Sequence, residues 1–209
     1  MKLREIEEKI ASKLRTFLQL KEGVKKVYRM SESMFRKKGK YFLKEGVKIK
    51  EIGEFRSSKL ETFVGYYDII PWNEEGRYYL LHIYERGKNY VNIGIYDVYA
   101  NQLKVIDKSL AYNFQQGTRL NWIGKEEVIY NTVVDKHLVS KIVNVKKNKT
   151  ISLLPIPIQV VDSVAKYGLT LNYKRLHKIR PEYGYEVEVK NFSHKMSYKE
   201  DGIWEINIP

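Results

Sequence analysis

Three stretches of this 209-residue chain repeat one idea. Ile95-Tyr96-Asp97-Val98, Ile142-Val143-Asn144-Val145 and Trp204-Glu205-Ile206-Asn207 each read as a short strand ending at an Asp or Asn. The first is followed by Tyr99-Ala100-Asn101-Gln102 and a strand from Leu103 to Ile106. The second is followed by Lys146-Lys147-Asn148-Lys149 and a strand from Thr150 to Leu154, the third only by Ile208 and Pro209. The anchors Asp97, Asn144 and Asn207 lie 47 and 63 residues apart. A period of about 40–50 residues, with four short strands per unit, marks the blade of a β-propeller. A closed ring takes about 4–8 blades. The expected fold is therefore all-β: an incomplete β-propeller over residues 60–209, with two complete four-stranded blades and a third partial blade, as in a truncated chain.

Charge separates this region from what precedes it. The chain carries a formal +13, but residues 1–50 hold 16 Lys/Arg against 6 Asp/Glu, and the remainder is close to balanced. The basicity belongs to residues 1–59, read as an N-terminal arm, and gives no reason to expect nucleic-acid binding by the whole protein. Within the arm, Leu3, Ile6, Ile10, Leu14 and Phe17 recur at helical steps over 3–20 and form one apolar stripe. A basic amphipathic helix of this kind suits peripheral contact with an anionic membrane through residues 1–50; packing on a protein surface is the competing expectation. Tyr41 to Ile52 alternates weakly and reads as a strand. There are no cysteines, which excludes disulfides and thiolate zinc sites. With Glu5, Glu7 and Glu8 in place of an apolar signal core, the expected location is cytoplasmic, peripheral on the inner membrane face if the arm binds lipid.

Three constellations carry candidate chemistry. Gly65-Tyr66-Tyr67-Asp68 before Pro71-Trp72 offers Tyr67 and Asp68, either aimed into a central channel or serving a turn. Gln115-Gln116-Gly117-Thr118-Arg119 sets two amides and an Arg beside a flexible glycine at the start of an inner strand, Arg119 to Ile123. Amides donate and accept in one plane, as sugar hydroxyls require, and Arg binds carboxylates bidentately. The richest stretch runs from Asn172 to Tyr185. Read as a strand from Asn172 to His177 with its outgoing loop, continuing Gly168 to Tyr173, it places Tyr173, Arg175 and His177 on one face, with Arg180 and Tyr183 following. Cations beside His suit an anionic or phosphorylated group. Gln115, Gln116, Arg119, Arg175, His177 and Arg180 are expected to converge at one channel end. His82, His137, His177 and His194 show no metal-ligand spacing, no P-loop, dinucleotide fingerprint or nucleophile elbow occurs, and no cofactor is expected.

Gly65-Tyr66-Tyr67-Asp68 with Pro71-Trp72, Gln115-Gln116-Gly117 with Arg119-Leu120, and Asn172-Tyr173 through Arg175-Leu176-His177 to Arg180-Pro181, Tyr183-Gly184-Tyr185 together resemble an uncharacterised bacterial propeller family. That family is similar to five-bladed glycosidase and lyase propellers and is associated with surface-polysaccharide clusters. The resemblance covers about residues 60–209. It implies a carbohydrate-associated protein of surface-polysaccharide biosynthesis whose partner is an acidic or phosphorylated sugar or glycan. The alternative is a polysaccharide lyase or glycoside hydrolase acting on an acidic sugar, although the paired acids of a glycosidase are not recognisable at matching positions. A partial ring exposes edges and faces that normally pair, so self-association is also expected.

Overall fold

The computed structural model describes residues 24, 43–48, 59–162, 164–191 and 202–209. The chain divides into two compact units, Met1–Lys50 and Glu51–Pro209. In the first, the Val47 N–H donates to the Lys44 carbonyl at 3.0 Å and Gly46 takes φ +83°. The alternation over 41–52 therefore does not make one continuous strand: Glu45-Gly46 turns the chain, at a φ that glycine adopts without steric cost. The helix expected at 3–20, and the arm reading built on it, lie outside the described residues.

Among the described residues the second unit holds three antiparallel sheets, each with its strands in chain order. Sheet one is β1 (Leu60–Phe63), β2 (Tyr78–Glu85), β3 (Val91–Asp97) and β4 (Gln102–Ser109). Sheet two is β5 (Asn121–Trp122), β6 (Glu127–Val134), β7 (His137–Asn144) and β8 (Lys149–Leu154). Sheet three is β9 (Val160–Val161), β10 (Tyr167–Leu171) and β11 (Ile203–Asn207), with β10 central. Helix α1 (Tyr173–Ile179) follows β10.

The sheets stack face on face. Leu80, Ile93, Ile95 and Ile106 of sheet one pack with Leu120, Val128, Tyr130, Val143 and Val145. The opposite side of sheet two, Ile129, Ile142 and Leu154, packs with Ile158 and Ile208, which flank sheet three, and with Val161 and Ile206 within it. A strand covered on both faces needs apolar residues at successive positions. This is why β6 reads as a run (Val128-Ile129-Tyr130) instead of alternating; in β2 (Leu80-Leu81-His82-Ile83) the second side, Leu81 and Ile83, is buried by Leu60, Tyr96 and Leu103 of the same sheet. β5 of sheet two is tied to the β1–β2 connection of sheet one by the Trp122 indole, whose N–H donates to the Pro71 carbonyl at 3.0 Å.

The three anchors close equivalent corners. Asp97 Oδ1 accepts from the Tyr99 and Ala100 N–H groups at 2.9 and 3.0 Å, and Asn144 Oδ1 accepts from the Lys147 N–H at 2.8 Å. Short polar side chains at a strand end do this because they can fold back onto amides two or three residues on. The next residues, Val98, Val145 and Ile208, donate to the carbonyls of Arg77, Glu126 and Lys166 at 3.0, 2.8 and 2.9 Å. A second repeat, less obvious in the sequence, lies between the first two strands of sheets one and three. Asn73 Oδ1 accepts from the Arg77 and Tyr78 amides, and Asp162 Oδ1 from those of Lys166 and Tyr167.

Two expected strands are corrected. Arg119 to Ile123 shrinks to Asn121–Trp122, because Arg119 takes φ 56° and breaks the extended backbone. The stretch from Asn172 to His177 is helical, and β10 ends at Leu171. Asn172 caps α1, its Oδ1 accepting from the Arg175 N–H at 3.0 Å, a role for which Asn is among the best residues. Tyr173 and Leu176, three apart, face the same apolar cluster with Ala111, Leu138 and Tyr185, which holds so short a helix in place.

Candidate functional site

The loop from β4 to β5 and the segment after α1 face each other across a cleft of about 770 Å³. Tyr112, Phe114 and Gln115 line one side and His177, Glu182 and Glu186 the other, with Asn89 from the β2–β3 loop at the rim. Phe114 is 58% exposed, yet its ring is held by Tyr84, Phe63 and Tyr112 at centroid separations of 5.0, 5.2 and 5.9 Å. Such tilted and edge-on contacts fix a ring while leaving a face free. Behind it Phe63 stacks on His82 at 4.8 Å. Asn113 builds the loop: its Oδ1 accepts from the Gln115 and Gln116 amides, and its Nδ2 donates to the Gly184 carbonyl at 3.0 Å, joining the two walls.

His177 sits at the bottom of α1's last turn, beside Gly184. A Cβ at position 184 would lie 2.3 Å from the His177 Cα, so only glycine permits this approach. The His177 Nδ1 is buried without a hydrogen-bond partner. Glu182 is held below the usual carboxylate range by a backbone amide and by Arg180, whose Nε donates to it at 2.6 Å.

Beneath the cleft runs a buried polar chain. Gln159 Nε2 donates to Gln116 Oε1 at 3.5 Å, and the Tyr173 hydroxyl donates to Gln159 Oε1 at 2.6 Å. Tyr173 stacks on Tyr185 at 4.7 Å and 4°. Asn131, fully buried, donates to the Tyr185 hydroxyl at 2.9 Å and to the Ile158 carbonyl at 2.7 Å. Arg119 meets Asp68 bidentately at 3.1 and 2.9 Å, beside a small space of about 70 Å³ that Gln159 also lines.

The nine sequence-selected residues thus fall into groups. Gln115 and His177 share the cleft. Gln116 belongs to the buried chain, linked to Arg119 through its carbonyl, which accepts from the Arg119 N–H at 3.4 Å. Asp68 is the partner of Arg119. Arg180 pairs with Glu182 and lies over the Tyr183 ring at 5.1 Å. Tyr183 meets Tyr66 edge-on at 6.0 Å, and Tyr67, 87% exposed, lies against Tyr66 at 4.2 Å. Arg175 is carried by α1 but does not line this cleft. The single face shared by Tyr173, Arg175 and His177 does not form, because a helix separates positions two apart by about 200°. Sequence reasoning passed over Tyr112, Phe114, Asn89 and Glu186. The signal available was the aromatic pair flanking Asn113, directly before the two glutamines.

Among the described residues no group of three or more His, Asp or Glu side chains could hold a metal ion. Among them, too, no helix is long and apolar enough to cross a membrane. No family model, curated protein or solved structure matches the chain.

Proposed function

We propose that this is a carbohydrate-binding module of β-propeller type, its three sheets being consecutive blades of a partial ring, and that its glycan site is the cleft between Phe114 and α1. The observation that carries the reading is the exposed Phe114 face, fixed by three neighbouring rings, beside the exposed amides of Gln115 and Asn89. A sugar presents apolar C–H faces and a rim of hydroxyls. A rigid ring with planar amides around it matches both features. The blade reading is supported by the 4-4-3 strand order, the face-on stacking in chain order and the repeated corners at Asp97, Asn144 and Asn207. The setting, assembly of bacterial surface polysaccharide, is what the sequence resemblance implies.

Binding is favoured over hydrolysis. Glu182 and Glu186 both line the cleft, which is the observation on the enzyme's side. A hydrolase needs one carboxyl kept protonated as general acid, and Glu182, held low by a backbone amide and by Arg180, is not suited to that part. Calorimetric titration with neutral and acidic oligosaccharides tests the reading. Phe114→Ala and Gln115→Ala should each weaken a bound glycan about tenfold, or ~1.4 kcal/mol, without changing the fold. A titration in which no oligosaccharide binds, or in which Phe114→Ala binds as wild type does, removes it. Release of reducing ends during the titration would favour the hydrolase.

A further inference from the structure

Arg119 is only 4% exposed, yet its Nε has no hydrogen-bond partner. Both terminal nitrogens are committed to Asp68. The Asp68 side chain, by contrast, is 42% exposed. It hangs from residues 64–71, an excursion between β1 and the bridge at Trp72 that also leaves Val64, Tyr67 and Ile70 in solvent. Next to the pair is the space of about 70 Å³ floored by Ile129, Ile158 and Val161 and edged by Gln159. Arg119 is also held at φ 56°, a backbone conformation unfavourable for a residue with a Cβ.

A purely structural ion pair would be expected to satisfy the buried guanidinium and bury both partners alike. Here the cation is fixed and incompletely satisfied, while its carboxylate is removable and adjoins empty space. We propose that Arg119 is a receptor for a ligand carboxylate, and that Asp68 occupies the receptor in the unliganded chain. Carboxylate exchanges for carboxylate, so the buried cation is never left without a counter-charge, a state that is strongly unfavourable. The incoming group keeps two guanidinium donors in a bidentate pair and lies beside Gln159, which edges the same space. The space accepts a group the size of acetate. A larger acid, such as a uronic acid, enters by its carboxylate as the 64–71 excursion withdraws. Tyr66, on that excursion, touches Tyr183 beyond α1, so withdrawal also reaches the segment that walls the cleft. This inference is independent of glycan binding at Phe114.

Chemical rescue of full-length Asp68→Ala tests it. The variant should melt below wild type. Sodium acetate should raise its melting temperature saturably, as a ligand binding only the native state does, while sodium chloride at equal ionic strength should not. Wild type should need at least tenfold more acetate, because Asp68 competes. Glucuronate acting as acetate does identifies the carboxylate arm of an acidic sugar as a ligand; acetate acting alone identifies a small free carboxylate. Adding Arg119→Lys to the variant should abolish the acetate effect. Asp68→Asn, which keeps the side-chain shape, takes the place of Asp68→Ala if the latter fails to fold. Equal responses to acetate and chloride, or rescue that survives Arg119→Lys, overturns the proposal.

Discussion

His82 shows what burial does to a single residue here. It is 1% exposed within β2, its Nε2 accepts from the Thr118 N–H at 3.1 Å, and burial pushes its imidazole down to about 4. An unfolded histidine titrates near 6.5. Between those values the unfolded chain binds the extra proton, so the neutral ring's contribution is complete above about pH 6.5 and is lost as pH falls toward 4. The slope from this one group reaches ~1.4 kcal/mol per pH unit. Urea unfolding at pH 7, 6 and 5 should show stability falling through that window, with a shallower fall in His82→Gln. Gly184 makes a second test. A methyl there would meet the His177 backbone, so Gly184→Ala should cost about 1–3 kcal/mol in the same assay and weaken any cleft ligand. At this scale the sequence is legible where chemistry is local. Asp97 and Asn144 can be recognised as corner residues because their bonds run only two or three residues ahead. The Arg119–Asp68 pair spans 51 residues, and nothing local says that two candidate ligand residues will bind each other.

At the scale of elements, hydrophobic period located the long strands, because β2, β3, β6 and β7 bury continuous or alternating apolar residues against neighbouring sheets. It failed at α1. Seven residues hold barely two turns, too few for a 3.6-residue period to stand out from alternation. Asn172 was the better guide, since an Asn ahead of a proline-free heptad with apolar residues at Tyr173 and Leu176, three apart, is a start signal. The cap carries a measurable share of the helix. Asn172→Ala should destabilise the protein by about 1 kcal/mol, read from urea midpoints. Its effect should extend to the cleft, because Tyr173 and His177 are positioned by the same turn. The short β5 was overextended for a backbone reason: φ 56° at Arg119 is invisible in a sequence that has Gly117 two residues earlier as the obvious place to turn.

For the whole molecule, the sheet stack sets where apolar surface remains. Cross-strand registers put Val160, Leu169 and Glu205 on one face of sheet three, with Leu171 and Ile203 beside them. The comparable residues of sheet two, Ile129 and Ile142, are buried beneath sheet three. Leu169 and Ile203 are 40% and 74% exposed, and Glu205 is the one charge among them. Contiguous apolar patches of this kind drive association in water. The protein should therefore associate as its concentration rises, with light scattering reporting a mass above that of one 24.8 kDa chain. Replacing Leu169 and Ile203 by lysine should restore the single-chain mass while moving the urea midpoint little, since surface changes usually stay within about ±0.5 kcal/mol. Both outcomes are needed. A wild-type chain that stays at single-chain mass across the concentration range would show that this face does not drive association. A double variant that lost stability would show instead that Leu169 and Ile203 hold sheet three together from within.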